Sequence, residues 1–191
     1  MTSVAAPTSQ LHPRIQELID FLVSHRREVY DAVAAVPAEL RDRKPAPESW
    51  SVAEVLEHLT KIEQRVAALL TMQVTAARDK GVGPDPDTSS VVESFEGADI
   101  LTNRAKKLVT PKAGVPSGTV GTIAGTEALD EAQVAMIASL RNANGVSLQN
   151  LVAAHPVLGP MNLYHFIVAL GLHDVRHAAQ IREIGQSLTG D

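Results

Sequence analysis

His173-Asp174-Val175-Arg176-His177-Ala178-Ala179-Gln180-Ile181 places two imidazoles four residues apart in a segment whose apolar residues follow helical spacing. On an α-helix, positions i and i+4 differ by one turn and about 40°, so both rings leave the same side. Two neutral ring nitrogens so placed suit one divalent ion. A third ligand has to come from elsewhere in the chain, and His58 is the candidate. The pattern predicts a metal site inside a helical bundle.

The flanking sequence resolves into four long helical segments. The first spans about Leu11 to Val36, with Ile15, Leu18, Ile19, Leu22, Val29, Val33 and Val36 at a 3.6-residue period, and Pro37 ends it. The second starts at Ser51, where Ser51-Val52-Ala53-Glu54 has the form of a capping box. It carries Val55, Leu59, Ile62, Val66 and Leu69 and fades near Asp79 to Gly83. His58 stands about 60° from Val55 on this helix, close enough to the stripe to reach the interior. The third is expected over Ile123 to Asn142, and the fourth follows Asn162 as N-cap, with Leu163, Phe166, Ile167, Leu170, Ile181, Ile184 and Leu188 as its core stripe. His177 falls inside that stripe; His173 and Asp174 lie at its edge.

Gly81 to Gly121 is rich in proline and glycine, with at most a short helix within Val91 to Leu108. A connection of that length suits a crossover between two helices that run in the same direction, or a lid or partner contact. No segment shows the alternation of a strand. The fold expected is all-α, a four-helix bundle with a long crossover, in one domain from residue 11 to 191 behind a flexible lead-in of residues 1 to 10.

Composition bounds the function. The 191 residues are 45% hydrophobic and 20% charged, as in ordinary globular proteins, but only 3% aromatic, so the core is aliphatic. There is no cysteine, which removes disulfides, thiolate ligands and a cysteine nucleophile. A net charge of -5 argues against nucleic acid as a partner. No apolar run approaches the roughly 20 residues of a membrane span. Met1 to Gln10 has neither the basic start nor the apolar centre of a secretory signal, so the cytoplasm is the expected location.

Three inward imidazoles in an Ala/Leu/Val interior need partners for their nitrogens. A shared metal satisfies them; hydrogen bonds from inward histidines to carboxylates are the other solution. Asp174 has two roles open to it: orienting a ligand ring, or pairing with an interior arginine such as Arg26 or Arg104. Gln180, one turn beyond His177, is placed either to hydrogen-bond a metal-bound water or to stand as a partly exposed helix amide; His155 is placed to anchor its loop, and Trp50 to pack at the start of the second helix.

Trp50-Ser51-Val52-Ala53-Glu54-Val55-Leu56-Glu57-His58, His155-Pro156-Val157-Leu158-Gly159 and the His173–Ile181 run, in that order, resemble the DinB-like superfamily over about Leu11 to Leu188. The resemblance implies a four-helix bundle holding a divalent metal, zinc or nickel, on His58, His173 and His177. It also implies transfer of a low-molecular-weight thiol to a small electrophilic substrate, and a homodimer. Some thiol-using members carry Glu where this chain has His173. Metal-dependent hydrolysis, and a non-catalytic stress or binding role with a structural metal site, are the alternatives.

Overall fold

A computed structural model describes residues 10–190. Apart from Gln10, the expected lead-in lies outside the described residues. Four long helices carry the structure: α1 (Pro13–Ala35), α2 (Val52–Asp79), α4 (Thr122–Asn142) and α5 (Leu163–Thr189), with the short α3 (Ala98–Thr102) inside the crossover. Their boundaries follow local chemistry. Pro13 occupies the first turn of α1, where its missing N–H leaves no bond unmade, and His12 caps it. Ser51 and Glu54 close a reciprocal capping box on α2, and the Asn162 side chain accepts from His165 N to cap α5.

The helices pack as two parallel pairs. Along α1 and α5, Arg14 meets Tyr164, Arg26 meets Asp174 and Val36 meets Gly185, so both chains run the same way. Along α2 and α4, Leu56 meets Gly125, Thr71 meets Ser139 and Arg78 meets Asn142. Two parallel neighbours joined in sequence require a long return, and the segment between Asp79 and Thr122 supplies it. Its first half is pinned to α1, where Arg14 donates to Asp85 and to Ser89 O. Its second half is a strap across the start of α2, where Glu57 accepts from Ser117 N and Lys61 donates to Val115 O. Residues 51–60 are therefore buried on every side.

A two-stranded hairpin, β1 (Val152–His155) with β2 (Gly159–Asn162), departs from the helix-only expectation. Each strand has four residues and β2 contains Pro160, too little for alternation to register. Gly159 takes φ +77 at the end of the three-residue loop, a conformation that favours glycine. Among the described residues, no helix is long and apolar enough to cross a membrane.

The apolar core divides into two clusters. One joins the N-terminal half of α1 and α5 to the C-terminal half of α2 and α4, around Leu18, Leu70, Leu140 and Ile167. The other joins the opposite halves, around Val29, Leu56, Leu129 and Ile181. Between them lies a charged layer: Arg26 donates to Asp174 at 2.9 Å, to Glu63 at 2.8 Å and to Leu129 O at 3.2 Å, linking all four long helices. Burial pushes the Glu63 carboxyl up to about 7 against the pull of Arg26, and pushes Asp174 up for the same reason. Arg26→Ala would strand two buried carboxylates. Urea unfolding should show a loss of about 3–5 kcal/mol, and a loss under about 1 kcal/mol, the size of a surface pair, would contradict this role.

Candidate metal centre

The three histidines converge. His173 Nε2 lies 3.1 Å from His58 Nε2 and 3.1 Å from His177 Nε2, and all three candidate nitrogens fall within 4.8 Å of one another. Two nitrogens ~2.1 Å from a common ion at the tetrahedral angle are roughly 3.4 Å apart, so these separations are of the right size. Helix spacing delivers the α5 pair, and the capping box sets α2 so that His58 faces them two turns later.

The proton arrangement is informative. His58 donates Nδ1–H to Gly114 O at 2.6 Å, and His177 donates Nδ1–H to Gln180 Oε1 at 2.8 Å. Each neutral ring then presents a lone pair at Nε2, aimed at His173. His173 Nδ1 is buried with no partner. A proton on His173 Nε2 serves only one of the two facing lone pairs. A proton on Nδ1 brings three lone pairs together and buries an N–H without an acceptor. No placement of one proton per ring satisfies the three facing nitrogens, whereas a cation at their centre engages all three lone pairs and leaves the His173 Nδ1–H as the one group without an acceptor. Burial pushes all three imidazoles below their ordinary range, His173 and His177 well below it, with the neighbouring rings adding to the shift for those two. Neutral imidazole is the form that ligates metal.

Two features of the surround were not legible in the chain. Gly114 brings its carbonyl to His58 because it lacks a side chain: a Cβ there would sit 2.9 Å from Ile62 Cδ1 and 3.3 Å from His58 Nδ1. A backbone acceptor 56 positions away leaves no sequence signal. Trp50 does more than start the helix; its ring lies 5.0 Å from that of His58 and 6.4 Å from that of His177, nearly parallel to the latter. The other residues resolve plainly. Asp174 pairs with Arg26, while Arg104 pairs with Glu183. His12 caps α1, His25 bonds Glu28 and His165 bonds Ser94, all away from the centre.

One side of the histidine cluster opens into a cavity of about 1040 Å³. Ile62, Leu101, Leu108, Val157 and Phe166 contribute apolar wall, and Arg65 and Lys107 stand at it with charged side chains. His155 also lines it, from the end of β1. As expected, His155 anchors its loop: Nδ1 accepts from Val157 N and Leu158 N, both at 3.2 Å.

The family model of the DinB superfamily matches residues 22–181, which takes in α2, α4, most of α1 and α5, and the three histidines. The chain belongs to the DinB superfamily. This DinB-superfamily chain is also similar to the uncharacterized protein YuaE of Bacillus subtilis strain 168, with 27% identity over 169 residues, 85% of this chain and 94% of that one. No solved structure matches the chain.

Proposed function

We infer that His58, His173 and His177 hold a divalent metal ion, zinc or nickel, and that the protein transfers a small thiol to an electrophilic substrate in the adjoining cavity. The observation that carries this reading is the set of converging Nε2 lone pairs that protons cannot satisfy, beside an open cavity. Three neutral imidazoles leave a divalent ion its full charge and an open position, where it lowers the pKa of a bound thiol or water.

The chain's own residues supply the rest. Gly114 O and Gln180 Oε1 fix the tautomers of two rings, Trp50 and the strap screen the cluster, and the cavity walls receive the apolar body of a substrate. Hydrolysis is less well supported, because it calls for a carboxylate or histidine base at the open position, and His155, which lines the cavity, has its unprotonated Nδ1 committed to its own loop. The buried carboxylates nearest the histidines in sequence are engaged elsewhere: Glu57 with the strap, Glu63 and Asp174 with Arg26. The same reading takes residues 11–191 as one domain acting in the cytoplasm as a homodimer on a small molecule, without nucleic acid or membrane. Sedimentation should return twice 20.3 kDa; the monomer mass at micromolar concentration would contradict the dimer.

Zinc titration by calorimetry tests the centre. His177→Ala should abolish stoichiometric binding, since two imidazoles rarely hold a divalent ion against solvent. Gln180→Ala removes only the partner of Nδ1 and should weaken binding about 10–100-fold. Equal affinities in the two variants would show that His177 is not a ligand. With the metal in place, L-cysteine should be consumed faster in the presence of chlorodinitrobenzene than after chelation. Equal rates would leave the transferase reading without support.

A further inference from the structure

His155 lines the same cavity as the three clustered histidines but takes no part in their cluster. Nδ1 is an acceptor for two backbone N–H groups of its own loop. A nitrogen that accepts twice carries no proton, so the proton of the neutral ring resides on Nε2. Burial lowers the ring's affinity for a second proton, in keeping with that neutral form. Among the described residues Nε2 has no hydrogen-bond partner, and it is not among the buried polar atoms left without one, so it remains accessible.

The ring is also held in place. Phe166 packs against it edge to face at 5.4 Å, and the hairpin register His155↔Gly159 fixes its backbone. It lines the cavity together with His173, close enough that a charge on His155 would weigh on His173.

We propose that His155 is the cavity's fixed hydrogen-bond donor, its Nε2–H binding an acceptor oxygen, such as a carbonyl, on a ligand whose apolar body packs against Phe166, Leu101 and Leu108. This rests on the reading of the cavity as the substrate chamber but not on the metal. Phe166, Leu101 and Leu108 offer an apolar part of a lining that also carries Arg65 and Lys107, and His155 orients the ligand there by one oxygen. An oriented donor loses little entropy on binding, so one such group beside an apolar wall decides orientation. A ligand carbonyl beside this donor becomes a better electron sink, which suits an electrophile in the proposed thiol transfer.

Two variants separate loop anchoring from ligand binding. His155→Asn keeps an acceptor oxygen at the position of Nδ1 and removes the Nε2 donor. His155→Gln keeps an N–H near the position of Nε2 and removes the loop acceptor. Two neutral fluorescent probes separate the ligand's acceptor from its apolar body: Prodan, a naphthyl ketone, and N-phenyl-1-naphthylamine, which has no carbonyl.

In the full-length protein, His155→Asn should weaken Prodan about five- to tenfold, the worth of one hydrogen bond, and leave the amine within about twofold. His155→Gln should retain Prodan despite a lower melting temperature. Long-range 1H–15N spectra should place the His155 proton on Nε2. Unchanged Prodan affinity in His155→Asn, equal loss of both probes, failure of the wild type to bind either, or a proton on Nδ1 would each overturn the proposal. Zinc titration of the same variants is read separately. Loss of metal binding in the wild type would sink the metal reading and leave the His155 result standing.

Discussion

Arg26 is enclosed with two carboxylates and a backbone carbonyl on its donors, one from each of the other three long helices. A guanidinium offers its N–H groups in a rigid fork, so its partners have one geometry to meet. Desolvating this group offsets much of the attraction it gains, and a hydrophobic layer of the same volume would be as stable or more so. What the arrangement supplies is register. Sliding α5 by one residue along α1 would remove Asp174 from Arg26 and bury its carboxylate unpaired. Because His173 precedes Asp174 and His177 follows one turn later, the same pairing fixes where the two α5 imidazoles stand opposite His58.

The histidine cluster inherits its precision from two further contacts of unequal kind. Gln180 is local, one turn beyond His177 on the same helix, and holds that ring as any i, i+3 neighbour does. Gly114 is remote and reaches His58 only because the crossover doubles back over α2. That strap is itself held by Glu57 and Lys61, so α2 presents His58 inward while gripping the segment that orients it. The cluster thus sits against Trp50 and the strap and opens into a broad cavity. Such a setting keeps the imidazoles neutral and the open side available.

The helices and the three histidines were legible because their information is periodic. A 3.6-residue spacing places His173, His177 and His58 on inward faces without knowledge of the partner helices, and Ser51, Asn162 and Pro37 mark ends by local chemistry. Asp174 was legible only as a problem: its burial could be read, but its choice of Arg26 over Arg104 depends on how α1 packs on α5. The hairpin was missed because four-residue strands with a glycine and a proline carry no period. Gly114 was missed because its contribution is a carbonyl oxygen that every residue possesses. His155 was read as a loop anchor, which it is; that it also lines the cavity follows only from the hairpin's position.

Anomalous diffraction at the zinc absorption edge, from crystals grown with one equivalent of zinc, would locate the ion. One strong peak is expected about 2.1 Å from Nε2 of His58, His173 and His177 together, with non-protein density on the cavity side. No peak at that point, or a peak held by other residues while these three rings keep their present separations, would contradict the three-histidine site.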